Sequence, residues 1–158
     1  MKIIKPWGVL AGGVLLFAVN TPVLAVSSDA KMQQEILSYV NQYRLQHGLN
    51  ALTLNPIISA EAIKHSQDMA RHAIPFGHQY FSDRVKRLYG KIKEASGAAE
   101  NVAFNYKDTK YLVSQWVKSP GHRRNIVGHY KLTGIGIARD KQGKIYYTQM
   151  FMNTGGRG

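Results

Sequence analysis

The stretch Leu132-Thr133-Gly134-Ile135-Gly136-Ile137-Ala138 and its continuation Lys144-Ile145-Tyr146-Tyr147-Thr148-Gln149-Met150-Phe151 decide the fold class. Both segments are rich in β-branched and aromatic residues, and the residues from Asp140 to Gly143 between them have the composition of a turn. Two such segments joined by a short turn predict a β-hairpin. Because the hairpin follows a series of helical segments and does not alternate with them, we predict an α+β layered domain.

The segments before the hairpin are mainly helical. Apolar side chains at helical spacing, together with capping residues, predict four helices. These run from Ser28 to His47, from Asn55-Pro56 onward, from Asp83 to Tyr89 with Ser82 as the N-cap, and from Thr109 to Lys118. The residues from Lys91 to Ala98 are small and polar, and we expect them to form a flexible connection.

Residues 1–25 have the pattern of a signal peptide. Lys2 and Lys5 precede the apolar run Trp7–Val19, and small residues lead to Ala25. The run is shorter than the ~20 residues that span a bilayer, although an uncleaved anchor is the alternative. We predict cleavage after Ala25, no transmembrane helix after cleavage, and a domain of residues 26–158 that is secreted or periplasmic.

The composition narrows the classes of partner and of chemistry. The chain has 21 Lys and Arg residues against 9 Asp and Glu residues, a net charge of +12, and it contains no cysteine. A strongly basic chain favours anionic surfaces such as cell-wall polymers or acidic lipid. Its basic residues are scattered, which predicts a solvated cationic surface and no dedicated nucleic-acid site. The absence of cysteine excludes thiol catalysis and disulfides.

The stretch Ser119-Pro120-Gly121-His122-Arg123-Arg124-Asn125-Ile126 follows the last predicted helix. Pro120 disfavours helical geometry at Ser119, so the preceding helix is expected to end there. Gly121 allows the backbone to bend, and we predict that this bend directs His122 into a cleft. A capped surface turn is the alternative interpretation.

Three ionisable residues stand at bends or among apolar neighbours: His78, Glu100 and His122. Two imidazoles and a carboxylate could hold a divalent ion or relay protons. Glu100 could equally be a structural acid bonded to backbone amides. His65 and His72, two helical turns apart, form a second candidate pair of ligands, although a structural role is more typical of such histidines.

The chain contains a series of short motifs in this order: Tyr39–Arg44, Leu52–Pro56, Ala62–Ala70, His78, Arg84, Glu100–Ala103, Trp116–Ile126, Gly134–Ala138 and Tyr147–Phe151. This series resembles the CAP superfamily, also called the SCP-like extracellular domain. That superfamily includes cysteine-rich secretory proteins, antigen 5 and plant pathogenesis-related proteins. The resemblance is closest to the disulfide-free bacterial branch.

The resemblance implies a three-layer α-β-α sandwich whose cleft is lined by two histidines and two acids. It assigns His78 and His122 as the histidines, which could bind zinc or another divalent cation, and Glu100 as the first acid. The position of the second acid is Ser119 here, so the set is incomplete. His129 lies too close to the following strand to be the second histidine, and we expect it at the surface.

Two functions are compatible with this cleft. The first is a non-catalytic binding module that takes a divalent metal, a small apolar ligand or a component of the cell envelope. The resemblance supports it, because eukaryotic relatives are linked to sterol and lipid binding. The second is a metal-dependent, peptidase-like hydrolase in which His78 and His122 hold the metal and Glu100 activates its water. The missing second acid favours binding.

Overall fold

The computed structural model describes residues 28–155, so the predicted signal segment and its cleavage site lie outside the described residues. Five helices and four strands follow one another in this part of the chain. In order, they are α1 (Ser28–Gln46), β1 (Thr53–Leu54), α2 (Pro56–Ala70), α3 (Phe81–Tyr89), β2 (Ala95–Phe104), α4 (Thr109–Lys118), α5 (Pro120–Ile126), β3 (Leu132–Arg139) and β4 (Ile145–Thr154).

The strands form one mixed sheet in the order β1-β3-β4-β2. Strands β3 and β4 are an antiparallel hairpin in which Leu132 lies opposite Met152 and Arg139 opposite Ile145. The predicted hairpin is therefore confirmed. Strand β1 pairs with β3 in parallel at one edge, and β2 pairs antiparallel with β4 at the other.

Strand β2 corrects one expectation from the sequence. It begins at Ala95, within the segment that we expected to be a flexible connection. Its small residues have weak intrinsic preference for a strand, but β4 offers a continuous ladder, and Ala95 pairs with Thr154. A register shift between Ser96 and Ala98, around Gly97 with a φ of +61°, fits the irregular sequence into that ladder.

Helices cover both faces of the sheet, which confirms the three-layer α-β-α sandwich. On strand β4, Tyr147 and Phe151 pack into a core with side chains of α1, α4 and α5. The alternate residues Met150 and Met152 pack into a second core with side chains of α2 and α3. A strand that is buried on both faces has apolar residues at successive positions, which explains the nearly continuous apolar sequence of β4.

Helix α2 lies unusually close to β3 because two glycines of that strand face it. A Cβ added at Gly134 would lie 2.3 Å from the carbonyl carbon of Ile58, and one added at Gly136 would lie 2.1 Å from that of Ala62. Side chains at these positions would collide with the backbone of the helix. The glycines that interrupt the apolar run of β3 therefore set the distance between helix and sheet.

Two local predictions are wrong, and both concern the start of a helix. Helix α3 begins at Phe81 after Tyr80, which has a φ of 59°, so Ser82 already lies inside the helix and does not cap it. Helix α4 ends at Lys118, as expected, but Pro120 then begins α5 instead of a bend. Proline is well suited to the first turn of a helix, where its missing N–H has no partner to lose.

Candidate functional site

The centre of the site is a buried carboxylate held by an arginine. Glu100 on β2 is 5% exposed, and Arg84 on α3 is 3% exposed. Arg84 Nε donates to Glu100 Oε2 at 2.9 Å, and Arg84 Nη2 donates to Oε1 at 2.7 Å. Arg84 Nη1 also donates to the carbonyl of Gln79 at 2.6 Å. This two-point contact fixes the plane of the carboxylate and ties α3 to the sheet.

His78 contacts the same carboxylate from the α2–α3 loop. Its Nδ1 lies 2.9 Å from Glu100 Oε1. Because an ionised carboxylate only accepts hydrogen bonds, Nδ1 of His78 carries the proton and donates. In the neutral ring, Nε2 is then the unprotonated nitrogen, and the His78 side chain is about half exposed. His78 and Glu100 thus form the arrangement in which a carboxylate orients a histidine toward a ligand.

His65 on α2 is a third group in this cluster. It is 2% exposed, and its Nε2 donates to the carbonyl of Gly77 at 2.8 Å and lies 3.7 Å from Glu100 Oε1. Burial lowers the pKa of His65, and the negative charge of Glu100 opposes that shift. By anchoring Gly77, His65 positions the loop that carries its neighbour His78. His72, its predicted partner, is exposed beyond the end of α2, so the two do not form a ligand pair.

The charge state of Glu100 follows from these contacts. Burial alone would raise its pKa, but hydrogen bonds from His78 and Arg84 and the positive charge of Arg84 outweigh that effect. The pKa of Glu100 therefore lies below its ordinary value. A carboxylate so stabilised in its ionised form is a weak base, which matters for any hydrolytic mechanism.

Ser119 and His122 form a second contact pair at the start of α5. The Nδ1 of His122 lies 2.8 Å from Ser119 Oγ, which leaves Nε2 of His122 without an assigned partner in the described chain. Burial lowers the pKa of His122, and the nearby charge of His78 lowers it further. His122 therefore favours the neutral form, which is the form that binds metals or polar ligands.

Two asparagines hold α5 against β2 and so connect the two contact pairs. Asn101 Nδ2 donates to the carbonyl of His122 at 3.1 Å. Asn125 Nδ2 donates to the carbonyl of Glu100 at 3.1 Å and to Asn101 Oδ1 at 2.8 Å. The backbone carbonyl of Glu100 on β2 is therefore bonded to α5, and that of His122 on α5 is bonded to β2. This network fixes the relative positions of the two residues.

A cleft of about 420 Å³ opens beside His122. Its lining is mainly apolar and aromatic: Phe76, Val102, Ala103, Phe104, Tyr106, Gln115, Trp116, Ser119 and His122. The ring centroid of Trp116 lies 6.4 Å from that of His122. The cleft thus combines a mainly apolar lining with a few polar side chains, the usual composition of a site for small ligands.

The residues offer limited ligation for a metal ion. Within residues 28–155, no group of three or more His, Asp or Glu side chains is arranged to hold a metal. The Nε2 atoms of His78 and His122 are suitable ligands, because the Nδ1 of each ring is held by another side chain. Glu100 is already engaged by Arg84, and Ser119 supplies a hydroxyl where the resemblance implies an acid.

Some residues of the site were not assigned from the sequence. Arg84 was part of the matching motifs but received no role, and the structure makes it the main partner of Glu100. One available signal is its position four residues before the core residue Leu88, which places a charged side chain on the buried face of α3. Asn101 and Asn125 gave no such signal, because their partners are backbone carbonyls of distant segments. His129 is exposed, as expected.

The α-β-α sandwich defines a known class of protein domain. A model of the cysteine-rich secretory protein family (CAP) matches residues 37–151. The chain belongs to this family, and the absence of cysteine from its sequence agrees with the disulfide-free branch.

Two proteins of Bacillus subtilis are each 33% identical to this chain. The uncharacterized membrane protein YlbC matches over 129 residues, which are 76% of this chain and 34% of YlbC. The uncharacterized protein YkwD matches over 138 residues, 84% of this chain and 51% of YkwD. The chain therefore spans about a third and a half of the lengths of these relatives.

Solved structures with the same fold include bacterial proteins of the cell exterior. An extracellular protein with an SCP domain from Bacillus anthracis is 27% identical, with a TM-score of 0.65, over 82% of this chain and 44% of that one. An outer surface protein of Borrelia burgdorferi has a TM-score of 0.70 over 79% of this chain and 94% of that one. Its identity is only 14%, so it supports the fold alone.

Proposed function

We propose that this CAP domain is a non-catalytic binding module of an exported protein. Its cleft takes a small apolar ligand from the cell envelope, with the polar end of that ligand beside His122. The observation that carries the proposal is the cleft lined by Trp116 and His122, named here the Trp116 cleft, whose lining is mainly apolar and aromatic and includes the polar residues Ser119 and His122. Export is supported by the extracellular relative from Bacillus anthracis. Within residues 28–155, no helix has both the length and the apolar character needed to cross a membrane.

A divalent cation is the second ligand that the site could take. His78 and His122 would hold it through Nε2, and Glu100 would orient the ring of His78. When bound, such an ion supplies a positive charge that attracts anionic groups of a ligand. Two protein ligands are fewer than the three typical of catalytic zinc, so we expect weak and reversible binding.

The hydrolase alternative would require Glu100 to accept a proton. Its carboxylate is instead locked by two hydrogen bonds from Arg84, and its lowered pKa makes it a poor base. Ser119 does not replace the missing acid, because a hydroxyl is not a base at neutral pH. These contacts support binding over hydrolysis. A metal-dependent hydrolysis rate that disappears in Glu100→Gln would instead favour the enzyme.

Tryptophan fluorescence tests the apolar cleft directly. In the exported form that we predict to begin at Val26, Trp116 is the only tryptophan, since the chain has two and the other is Trp7. A dansyl-labelled fatty acid bound in the cleft should accept energy from Trp116 and quench its emission. We expect saturable quenching, weakened about tenfold in Phe104→Ser, which removes part of the cleft wall.

The control for this experiment is Leu45→Ser, which alters another exposed apolar residue, on α1 and outside the lining of the cleft. It should quench like the wild type. Mass spectrometry of the exported protein verifies the N-terminus. Quenching that does not saturate, or that is equal in Phe104→Ser and the wild type, would contradict the apolar site.

Calorimetry tests the cation site. We expect weak binding of Zn²⁺ to the wild type, and no measurable binding to the double variant His78→Ala/His122→Ala, because both candidate ligand atoms are removed. The matched control His47→Ala/His129→Ala removes two exposed histidines elsewhere. Equal affinity in the wild type and in the cleft variant would show that the two imidazoles do not share a cation.

A further inference from the structure

Two phenylalanines at the mouth of the Trp116 cleft are exposed to solvent. Phe76 in the α2–α3 loop is 52% exposed, and Phe104 at the end of β2 is 40% exposed. Their ring centroids lie 5.8 Å apart, so they form one continuous aromatic patch. Both also line the cleft. Adjacent exposed phenylalanines are costly in water, and a patch of this kind marks an interaction surface.

The patch rests on a rigid support. The ring of Phe104 lies 5.2 Å from that of Tyr146, centroid to centroid, and Tyr146 is a buried residue of β4. Tyr146 in turn contacts the ring of His72 at 6.4 Å. Phe104 is therefore held by the sheet in its exposed position, and it cannot be explained as a side chain that simply lacks a place in the core.

A lysine lies beside this patch, in the turn between β3 and β4. Lys144 Nζ lies 5.7 Å from the ring centroid of Phe104. No acidic side chain of residues 28–155 forms an ion pair with Lys141 or Lys144. Asp140 lies in the same turn, but its carboxylate accepts from the backbone amides of Gln142 and Lys144.

The segment after Phe104 also has exposed lysines next to an acid that accepts a hydrogen bond from a backbone amide. Lys107 and Lys110 follow it closely in the sequence and are exposed. Asp108, between them, caps α4 by accepting from the amide of Tyr111. The carboxylates of Asp108 and Asp140 thus accept hydrogen bonds from backbone amides, while the lysines of both segments are exposed. The phenylalanine pair and the four lysines Lys107, Lys110, Lys141 and Lys144 are named here the Phe/Lys surface.

We propose that the Phe/Lys surface docks the domain onto an anionic lipid bilayer, with the mouth of the cleft against the membrane. Phenylalanine has no polar group, so it gains from insertion at the boundary of headgroups and acyl chains. Lysines at that depth meet anionic headgroups. A soluble polyanion could use the lysines but would gain little from the two exposed phenylalanines. This chemistry favours a bilayer over a wall polymer.

Docking of this kind would give the apolar ligand a route into the cleft. This part of the inference rests on the proposed function. An apolar molecule could pass from the bilayer into the cleft without crossing water, since Phe76 and Phe104 belong to both surfaces. Only two phenylalanines insert, so the attachment is reversible and depends on charge. Binding should therefore weaken as salt screens the lysines.

Co-sedimentation with vesicles tests the proposal. We expect the exported protein to bind vesicles of phosphatidylglycerol and phosphatidylcholine, and not vesicles of phosphatidylcholine alone. Phe76→Ser/Phe104→Ser and Lys141→Gln/Lys144→Gln should each reduce binding about tenfold, since apolar insertion and charge both contribute. Leu45→Ser and Lys31→Gln/Lys93→Gln are the matched controls, and they should bind like the wild type. Circular dichroism confirms that every variant is folded.

The outcomes separate docking from ligand binding. Lys141 and Lys144 do not line the cleft, so their double variant should lose vesicle binding and keep the quenching of Trp116 by the soluble fatty acid. Vesicle binding that is unchanged in both Phe76→Ser/Phe104→Ser and Lys141→Gln/Lys144→Gln would overturn the proposal. So would equal binding to uncharged vesicles, or binding to soluble polyphosphate that falls equally in the phenylalanine variant. In each of these cases, normal quenching of Trp116 leaves the proposed function intact. Absent quenching with normal vesicle binding would instead reject the binding of an apolar ligand in the cleft and leave membrane docking intact.

Discussion

Replacing Arg84 by methionine is expected to lower the free energy of unfolding by about 3–5 kcal/mol, the usual cost of breaking a buried ion pair. The substitution leaves Glu100, 5% exposed, with the hydrogen bond from His78 as its remaining charge-assisted contact. It also removes the bond from Arg84 to the carbonyl of Gln79. Urea unfolding at neutral pH, followed by circular dichroism, measures the loss.

A second substitution shows whether the stranded charge is the cause. In Arg84→Met/Glu100→Gln the buried ion pair is replaced by uncharged side chains, so we expect this double variant to recover most of the lost stability. The matched control is Arg87→Met, also on α3, which removes a half-exposed partner of Glu61 on α2. Because Glu61 keeps Lys91 at 3.6 Å, this change should cost no more than about 1 kcal/mol. Two results would contradict a stranded charge as the cause. One is an Arg84→Met variant as stable as Arg87→Met, and the other is a double variant that is no more stable than Arg84→Met.

The pH dependence of the wild type provides an independent check. The folded-state pKa of Glu100 lies below its ordinary value, so the folded protein holds fewer protons than the unfolded chain in that range. The contribution of Glu100 to the free energy of unfolding is therefore complete above the ordinary carboxyl pKa. It is lost as the pH falls through the lower, folded-state pKa of Glu100. The double variant lacks this carboxyl and should lose less stability in acid than the wild type.

The sequence predicted those parts of the fold whose apolar residues have a clear period. The hairpin of β3 and β4 and the helix Thr109–Lys118 were predicted correctly, because side chains at the right spacing face a core. Strand β2 could not be recognised at its start, since Ala95 has no local reason to be extended and depends on pairing with Thr154. Secondary structure that depends on a distant partner leaves little trace in the local sequence.

The sequence named several residues that the structure brings into contact, but not all the contacts that decide their chemistry. His78 and Glu100 are 22 positions apart and meet through a loop and an edge strand, a contact that the residues alone left as a hypothesis and the family resemblance made specific. The role of Arg84 could not be derived, because an arginine on a short helix is usually solvated. Its burial follows from the packing of α3 on the sheet. The metal-binding role of His78 and His122 remains a prediction.

The second large effect is expected at Gly136, which has no polar contact with the site. In Gly136→Ala the new Cβ would lie 2.1 Å from the carbonyl carbon of Ala62 and 2.3 Å from the amide nitrogen of Ile63. These are backbone atoms within α2, so no side chain can turn aside and the whole helix must move off the sheet. We expect a loss of roughly 1–3 kcal/mol, as for other overpacked cores, in urea unfolding.

The same displacement should reach the site, because α2 carries His65 and His65 anchors Gly77 beside His78. Gly136→Ala should therefore weaken Zn²⁺ binding as well as stability. Gly121→Ala is the matched control: its Cβ would meet no atom within 4 Å, although it adjoins His122. That variant should be as stable as the wild type, or more stable by up to about 1 kcal/mol, since alanine favours a helix. If Gly136→Ala matches it in both measurements, α2 yields without cost, and the distance between helix and sheet does not determine the geometry of the site.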